Sequence, residues 1–122
     1  MLESAENLIM NFILMIETYG MIPNGFRQYF LNRSQPPLFA LMVKDLSEAF
    51  IAHGQNGRAQ ALEERAFHSL VQEHEFFMKT HSKLFKLKSE KEVLLNYYNA
   101  ETVSPRPESY REDMLLVEDL KQ

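Results

Sequence analysis

The stretch Leu2-Glu3-Ser4-Ala5-Glu6-Asn7-Leu8-Ile9-Met10-Asn11-Phe12-Ile13-Leu14-Met15-Ile16-Glu17-Thr18-Tyr19-Gly20 decides the fold class. Apolar side chains recur at Leu2, Ala5, Leu8, Ile9, Phe12, Ile13, Met15, Ile16 and Tyr19. Spacings of three and four mark one face of a helix, and Gly20 suits a left-handed C-cap. Met10 and Leu14 widen the apolar face past a single stripe, so this helix requires partners on more than one side.

Further along, Pro36-Pro37 is expected to open a second helix, because a first turn has amide hydrogens without partners and tolerates proline. That helix should run through Leu38, Leu41, Met42, Leu46 and Phe50 to about residue 53, where Gly54-Gln55-Asn56-Gly57 breaks it. A third spans roughly 58–79 through Ala59, Leu62, Ala66, Leu70, Val71 and Phe77. The period then changes, and short runs at 84–88 and 93–99 around Ser89-Glu90 indicate a small hairpin. Ser104-Pro105-Arg106-Pro107 is a stiff loop that cannot be helix. A last helix starts near Glu108 or Ser109 and continues through Met114, Leu116, Val117 and Leu120. The expected class is all-α, with about four helices and a hairpin near 84–99.

At 122 residues the chain suffices for one domain with a core and is too short for two ordinary ones. Its 45% hydrophobic and 25% charged residues are those of a globular protein. A net charge of −4 and scattered basic residues argue against a nucleic-acid partner. The cluster Lys83, Lys86, Lys88 and Lys91 reads as the solvated face of the hairpin. Absence of cysteine excludes disulfide scaffolds and thiolate metal sites, and does not locate the protein. The acidic first residues do not resemble a signal peptide, and the apolar run from Leu8 to Ile16 is about half a bilayer span. No membrane segment is expected, and a chain that opens directly in an amphipathic helix suggests that its true beginning lies upstream.

Between the first two helices stand Ile22-Pro23-Asn24-Gly25 and Asn32-Arg33-Ser34-Gln35-Pro36-Pro37, flanking the aromatic pair Tyr29-Phe30. Polar groups on a proline-stiffened backbone are what a ligand site needs. Amide and guanidinium groups of Asn24, Arg33 and Gln35 suit the recognition of hydroxyls or carboxylates. On spacing alone, a long structural loop whose polar residues cap the next helix is an equal alternative.

These blocks carry a family resemblance. Asn7 to Tyr19, Met21-Ile22-Pro23-Asn24-Gly25, Asn32-Arg33-Ser34-Gln35-Pro36-Pro37-Leu38, Glu73-His74-Glu75-Phe76-Phe77-Met78 and Pro105-Arg106-Pro107-Glu108-Ser109-Tyr110-Arg111-Glu112-Asp113 resemble trehalase, in order and separation, over essentially the whole chain. The resemblance implies inverting hydrolysis of α,α-trehalose to two glucose units in an (α/α)6 barrel, with no cofactor. It assigns Asn24, Arg33, Ser34, Gln35, Arg106, Pro107 and Glu108 to the sugar-binding pocket. Adjacent sugar hydroxyls both donate and accept, so a guanidinium fork or carboxylate bridges two of them. In a dry pocket Arg33 and Arg106 need a negative partner, and Glu108 is the expected one.

Departures from the family pattern matter as much. Inverting glycosidases place an acid and a base about 6.5–9.5 Å apart to admit water. The family's acid is an aspartate in a Gly-Trp-Asp segment after the Pro-Arg-Pro-Glu-Ser-Tyr block, and its base lies much further on. Neither segment occurs here, nor does any tryptophan. The upstream Pro-Gly-Gly-Arg-Phe block and the later Gln-Trp-Asp block are absent too. Phe26 replaces the small residue that usually follows Asn-Gly, which is expected either to alter the turn or to crowd the pocket rim. Residues 1–122 therefore read as one partial domain, an internal segment that needs the rest of the barrel, contains no catalytic residue and is inactive alone. Its open faces should expose apolar surface and favour aggregation.

Competing constellations are weaker. His68 and His74 are six apart and His74 and His81 seven, against the three or four of paired helical metal ligands, and His53 is isolated. No metal site is expected. Met10, Met15, Met21, Met42 and Met78 read as core filler. The glycosylation pattern Asn32-Arg33-Ser34 reads as fortuitous, because a glycan there would block Arg33. Glu108 with Glu112 or Asp113 is less an acid–base pair than a set of helix N-terminal carboxylates. Two functions remain: a segment of a trehalose hydrolase, or a shortened, catalytically inactive helical protein that binds carbohydrate or another partner. The compartment stays open.

Overall fold

The computed structural model describes residues 1–100 and 104–120. It is mostly helical, with α1 (Leu2–Tyr19), α2 (Phe39–Ala52), α3 (Asn56–Thr80) and α4 (Tyr110–Asp119), and an antiparallel hairpin of β1 (Ser82–Lys86) and β2 (Glu92–Asn96). Short 3-10 turns at Gln28–Phe30 and Pro107–Ser109 complete the element order. All four expected helices and the hairpin are present. Among the described residues no helix is long and apolar enough to cross a membrane.

Helix α1 ends as its sequence requires, with Gly20 at φ 79° and its amide on the Ile16 carbonyl. Ile9, Ile13 and Ile16 bury one stripe of α1 against Phe39, Val43, Leu46 and Phe50 of α2 and Ala59, Leu62 and Ala66 of α3. The alanines let α3 approach closely, while Ile13, Ile16, Phe39 and Phe50 are fully buried. The connection 53–55 turns the chain back, with Gly54 at φ 72°. Polar clasps fasten the periphery. Arg65 grips Glu17 through two bonds of 2.6 and 3.2 Å, joining α3 to α1. Arg58 pairs with Glu6 and stacks over the Phe50 ring at 4.5 Å, and Ser47 donates to Glu63 between α2 and α3.

Several boundaries differ from expectation. Helix α2 begins at Phe39, because a residue before proline is pushed out of the helical region and Pro36-Pro37 therefore stays outside. Asn56 and Gly57 belong to the first turn of α3 instead of breaking the chain. The strands lie about two residues earlier than expected, paired from Ser82↔Asn96 to Lys86↔Glu92, with Glu90 at φ 62° in the turn. Pro107 is not loop but opens the 3-10 turn before α4, a first-turn position where its missing N–H is harmless. Of the methionines, Met21 is buried and Met10 and Met15 pack on the core, but Met42 and Met78 are more than a third exposed. Leu8 and Leu14, the excess apolar surface of α1, face outward.

The inner stripe of α3 turns polar beyond Ala66. Ser69 and Glu73 are buried there, and Glu73 makes no hydrogen bond to another described residue. Burial raises its carboxyl pKa to about 7. A raised folded-state pKa contributes stability that is full below the unfolded value and lost as pH rises through the folded one. Glu73→Gln should thus gain about 3 kcal/mol relative to wild type between pH 4.5 and pH 8. Paired thermal or urea melts at the two pH values measure this, and a pH-independent difference contradicts it.

Candidate functional site

The segment 20–38 is organised by a short antiparallel contact. The Asn24 amide donates to the Arg33 carbonyl and the Gln35 amide to the Ile22 carbonyl, both at 2.7 Å, which places Pro23 opposite Ser34. Proline fits there because the facing pair needs no amide hydrogen from it. Extended backbone alternates its side chains, so Arg33 and Gln35 leave one face while Ser34 turns to the other. Gly25 closes the turn against the Phe30 ring, and a Cβ at this position would stand 2.5 Å from that ring. The ring in turn supports the Arg33 guanidinium, 4.9 Å from its centroid, and stacks tilted on Tyr29.

Arg33 reaches across 75 residues of sequence to Glu108. Its two terminal nitrogens donate to the two carboxylate oxygens at 2.8 and 3.2 Å. The Arg33 side chain is only 11% exposed, that of Glu108 32%. This bidentate fork raises the Arg33 pKa and holds the Glu108 carboxyl below its usual range. Gln35 Nε2 donates to Asn24 Oδ1 at 3.1 Å and to its carbonyl at 3.3 Å. The side-chain nitrogen Nδ2 of Asn24 and Oε1 of Gln35 make no hydrogen bond to another described residue and remain available to a ligand.

Arg106 departs from expectation. Its partner is Asp113, through bonds of 2.9 Å from Nε and 2.6 Å from Nη2, and Asp113 also accepts the Arg106 amide at 3.0 Å. Asp113 is thus more than a carboxylate near a helix start. Sequence reasoning missed this pair because three carboxylates, Glu108, Glu112 and Asp113, follow Arg106 within two turns, and spacing alone does not choose. The Arg106 side chain and amide hold the Asp113 carboxyl down at about 2. The two arginines and two acids form a neutral cluster in which each arginine has its own acid.

Several recesses adjoin these groups, and none of the three described next contains all the expected residues. Asn24 and Gln35 line an apolar recess of about 220 Å³ with Phe12, Met15, Phe39 and Met42, at whose edge Phe26 stands. Arg33, Arg106 and Pro107 line one of about 490 Å³ with Gln28, Tyr29 and Asn32. Ser34 and Gln35 line a third of about 410 Å³ with His81, Tyr97 and Tyr98. Ser34 is buried, its hydroxyl 3.4 Å from His81 Nε2. The resemblance flagged Asn24, Arg33, Ser34, Gln35, Arg106, Pro107 and Glu108; it did not flag Phe30 under Arg33, His81 beside Ser34 or Asp113 on Arg106. Among the described residues no three His, Asp or Glu side chains gather as a metal cluster.

A depressed carboxyl pKa contributes stability that is present above its unfolded value and lost as pH falls through the folded one. The thermal midpoint of the intact protein should therefore exceed that of Asp113→Asn by a constant amount from pH 8 to about 4, and the gap should close towards pH 2. A gap that persists at pH 2 contradicts the Arg106–Asp113 clasp as its origin.

The family model described as trehalase matches residues 1–122. The chain is 43% identical over 115 residues to a trehalase of Dictyostelium discoideum, covering 93% of this chain and 18% of that protein. It is 34% identical over 122 residues to a trehalase of Homo sapiens, covering 100% of this chain and 20% of that one. With a periplasmic trehalase of Escherichia coli O9:H4 (strain HS) it shares 37% identity over 119 residues, 92% of this chain and 20% of the relative. The chain spans about a fifth of the length of these relatives.

Proposed function

The chain belongs to the trehalase family, and from that premise we propose that it supplies one wall of a sugar pocket in an enzyme that hydrolyses α,α-trehalose with inversion. In this reading residues 1–122 form one partial domain, a segment of an (α/α)6 barrel whose remaining helices cover the exposed apolar faces. Asn24, Arg33, Gln35, Arg106 and Glu108 contact the sugar, Pro107 stiffens the turn that carries its neighbours, and Ser34 belongs to the site from beneath. The general acid and base are supplied from outside this chain.

One observation carries the proposal: the Arg33–Glu108 fork joins two blocks 75 residues apart. Each partner already satisfies the other's charge, so a neutral ligand can enter without leaving an ion unpaired. The remaining lone pairs of Glu108 and the free amide positions of Asn24 and Gln35 match hydroxyls that donate and accept side by side. Rigid backbone at Pro23, Pro36 and Pro37 limits the entropy lost on ordering the pocket. Because binding groups alone lack proton transfer, which contributes about 10²–10⁴-fold, the isolated chain should release no glucose.

Calorimetric titration of the intact protein with trehalose tests the assignment. Arg33→Ala should weaken binding about 10- to 100-fold, the range of hydrogen bonds to a charged group. Unchanged affinity removes Arg33 from the site, and glucose release by residues 1–122 alone contradicts the placement of the acid and base.

A further inference from the structure

Beneath the arginine and glutamine, Ser34 meets His81, a residue just past the end of α3 that is 6% exposed. The imidazole packs against two aromatic rings that also touch each other, 5.6 Å from Phe76 and 4.8 Å from Phe77. Its backbone amide donates to the Phe77 carbonyl at 2.8 Å and its carbonyl accepts from the Tyr97 amide at 2.9 Å. Helix, hairpin and site loop therefore meet at one side chain.

Hydroxyl stoichiometry assigns the tautomer. Thr80 Oγ1 donates its single proton to the Phe76 carbonyl at 2.7 Å, so it must accept from His81 Nδ1 at 2.6 Å. Nδ1 thus carries a proton, and in the neutral ring Nε2 accepts the Ser34 hydroxyl at 3.4 Å. Thr80 is fixed in turn by Asn99, whose amide donates to its carbonyl at 2.9 Å. The chain Asn99–Thr80–His81–Ser34 runs from the far end of the hairpin to the residue between Arg33 and Gln35.

We infer that His81 is a positioning residue for the sugar site: its Nε2 lone pair holds Ser34 against α3 and thereby fixes the angles at which Arg33 and Gln35 leave the loop. This inference rests on the sugar-site reading above and adds the residue that sets its geometry. His81 itself touches no sugar.

Steady-state trehalose hydrolysis by the intact protein tests it, with His81→Phe, His81→Gln, Ser34→Ala and Arg33→Ala compared. Phenylalanine keeps an aromatic ring against Phe76 and Phe77 but offers no acceptor, whereas glutamine offers an acceptor near the position of Nε2 without the ring. His81→Phe should raise KM about tenfold, as expected for one lost hydrogen bond in a preorganised site, with a smaller change in kcat. His81→Gln should recover most of that loss, and Ser34→Ala should reproduce the phenylalanine result. If His81→Phe keeps the wild-type KM while His81→Gln does not, the ring serves packing alone and the inference is overturned. Should His81→Phe fail to fold, Ser34→Ala decides, and a wild-type KM there overturns the inference. Arg33→Ala separates the two levels: a raised KM there with wild-type Ser34→Ala kinetics leaves the site standing and removes His81, while unchanged KM in Arg33→Ala removes both.

Discussion

The fork between Arg33 and Glu108 is the constraint on which the rest of the site depends. An arginine side chain only 11% exposed needs a compensating charge, because an ion withdrawn from water and left alone is strongly disfavoured. Glu108 provides that charge in matched planar geometry, and in doing so brings the 3-10 turn at Pro107–Ser109 to the loop between α1 and α2. Helix α4 buries no side chain of its own among the described residues, so this ion pair carries much of the tie that its packing does not.

Around the fork, the structure separates support from presentation. The aliphatic and aromatic stripe of α1, α2 and α3 forms a rigid base. On it, the Ile22–Asn24 and Arg33–Gln35 contact sets the loop, with Gly25 leaving room for Phe30 and Phe30 supporting the guanidinium. Below, buried Ser34 and His81 face each other; above, Asn24 and Gln35 keep unused donor and acceptor positions. Prolines and a buried histidine hold the groups that a sugar would meet, which is the division of labour expected of a preorganised binding wall.

Much of this was legible in the chain itself. The three-and-four spacing from Leu2 to Tyr19 with Gly20 behind it specified α1 to the residue, because period and cap agree. The start of α2 was misplaced because Pro36-Pro37 suits both a first turn and an extended approach, and only the pairing of Gln35 with Ile22 selects the latter. Of the candidate site, Asn24, Arg33 and Gln35 stood out through polar type and stiff context, while Glu108 was singled out only by the family resemblance. Asp113 and His81 were not. Asp113 was passed over for the nearer Glu108, and His81 was judged by metal-ligand spacing, whereas its contact with Ser34 depends on tertiary placement that no local pattern encodes.

The claim that one ion pair organises a sugar site is tested most directly by a double-mutant cycle on trehalose affinity. Calorimetry on the intact protein would compare wild type with Arg33→Lys, which loses the fork but keeps the charge, with Glu108→Gln, and with the double variant. Interdependence of the pair predicts that each single change weakens binding and that the double variant loses little more than the weaker of the two singles. Fully additive losses, or affinities that match wild type throughout, would contradict it.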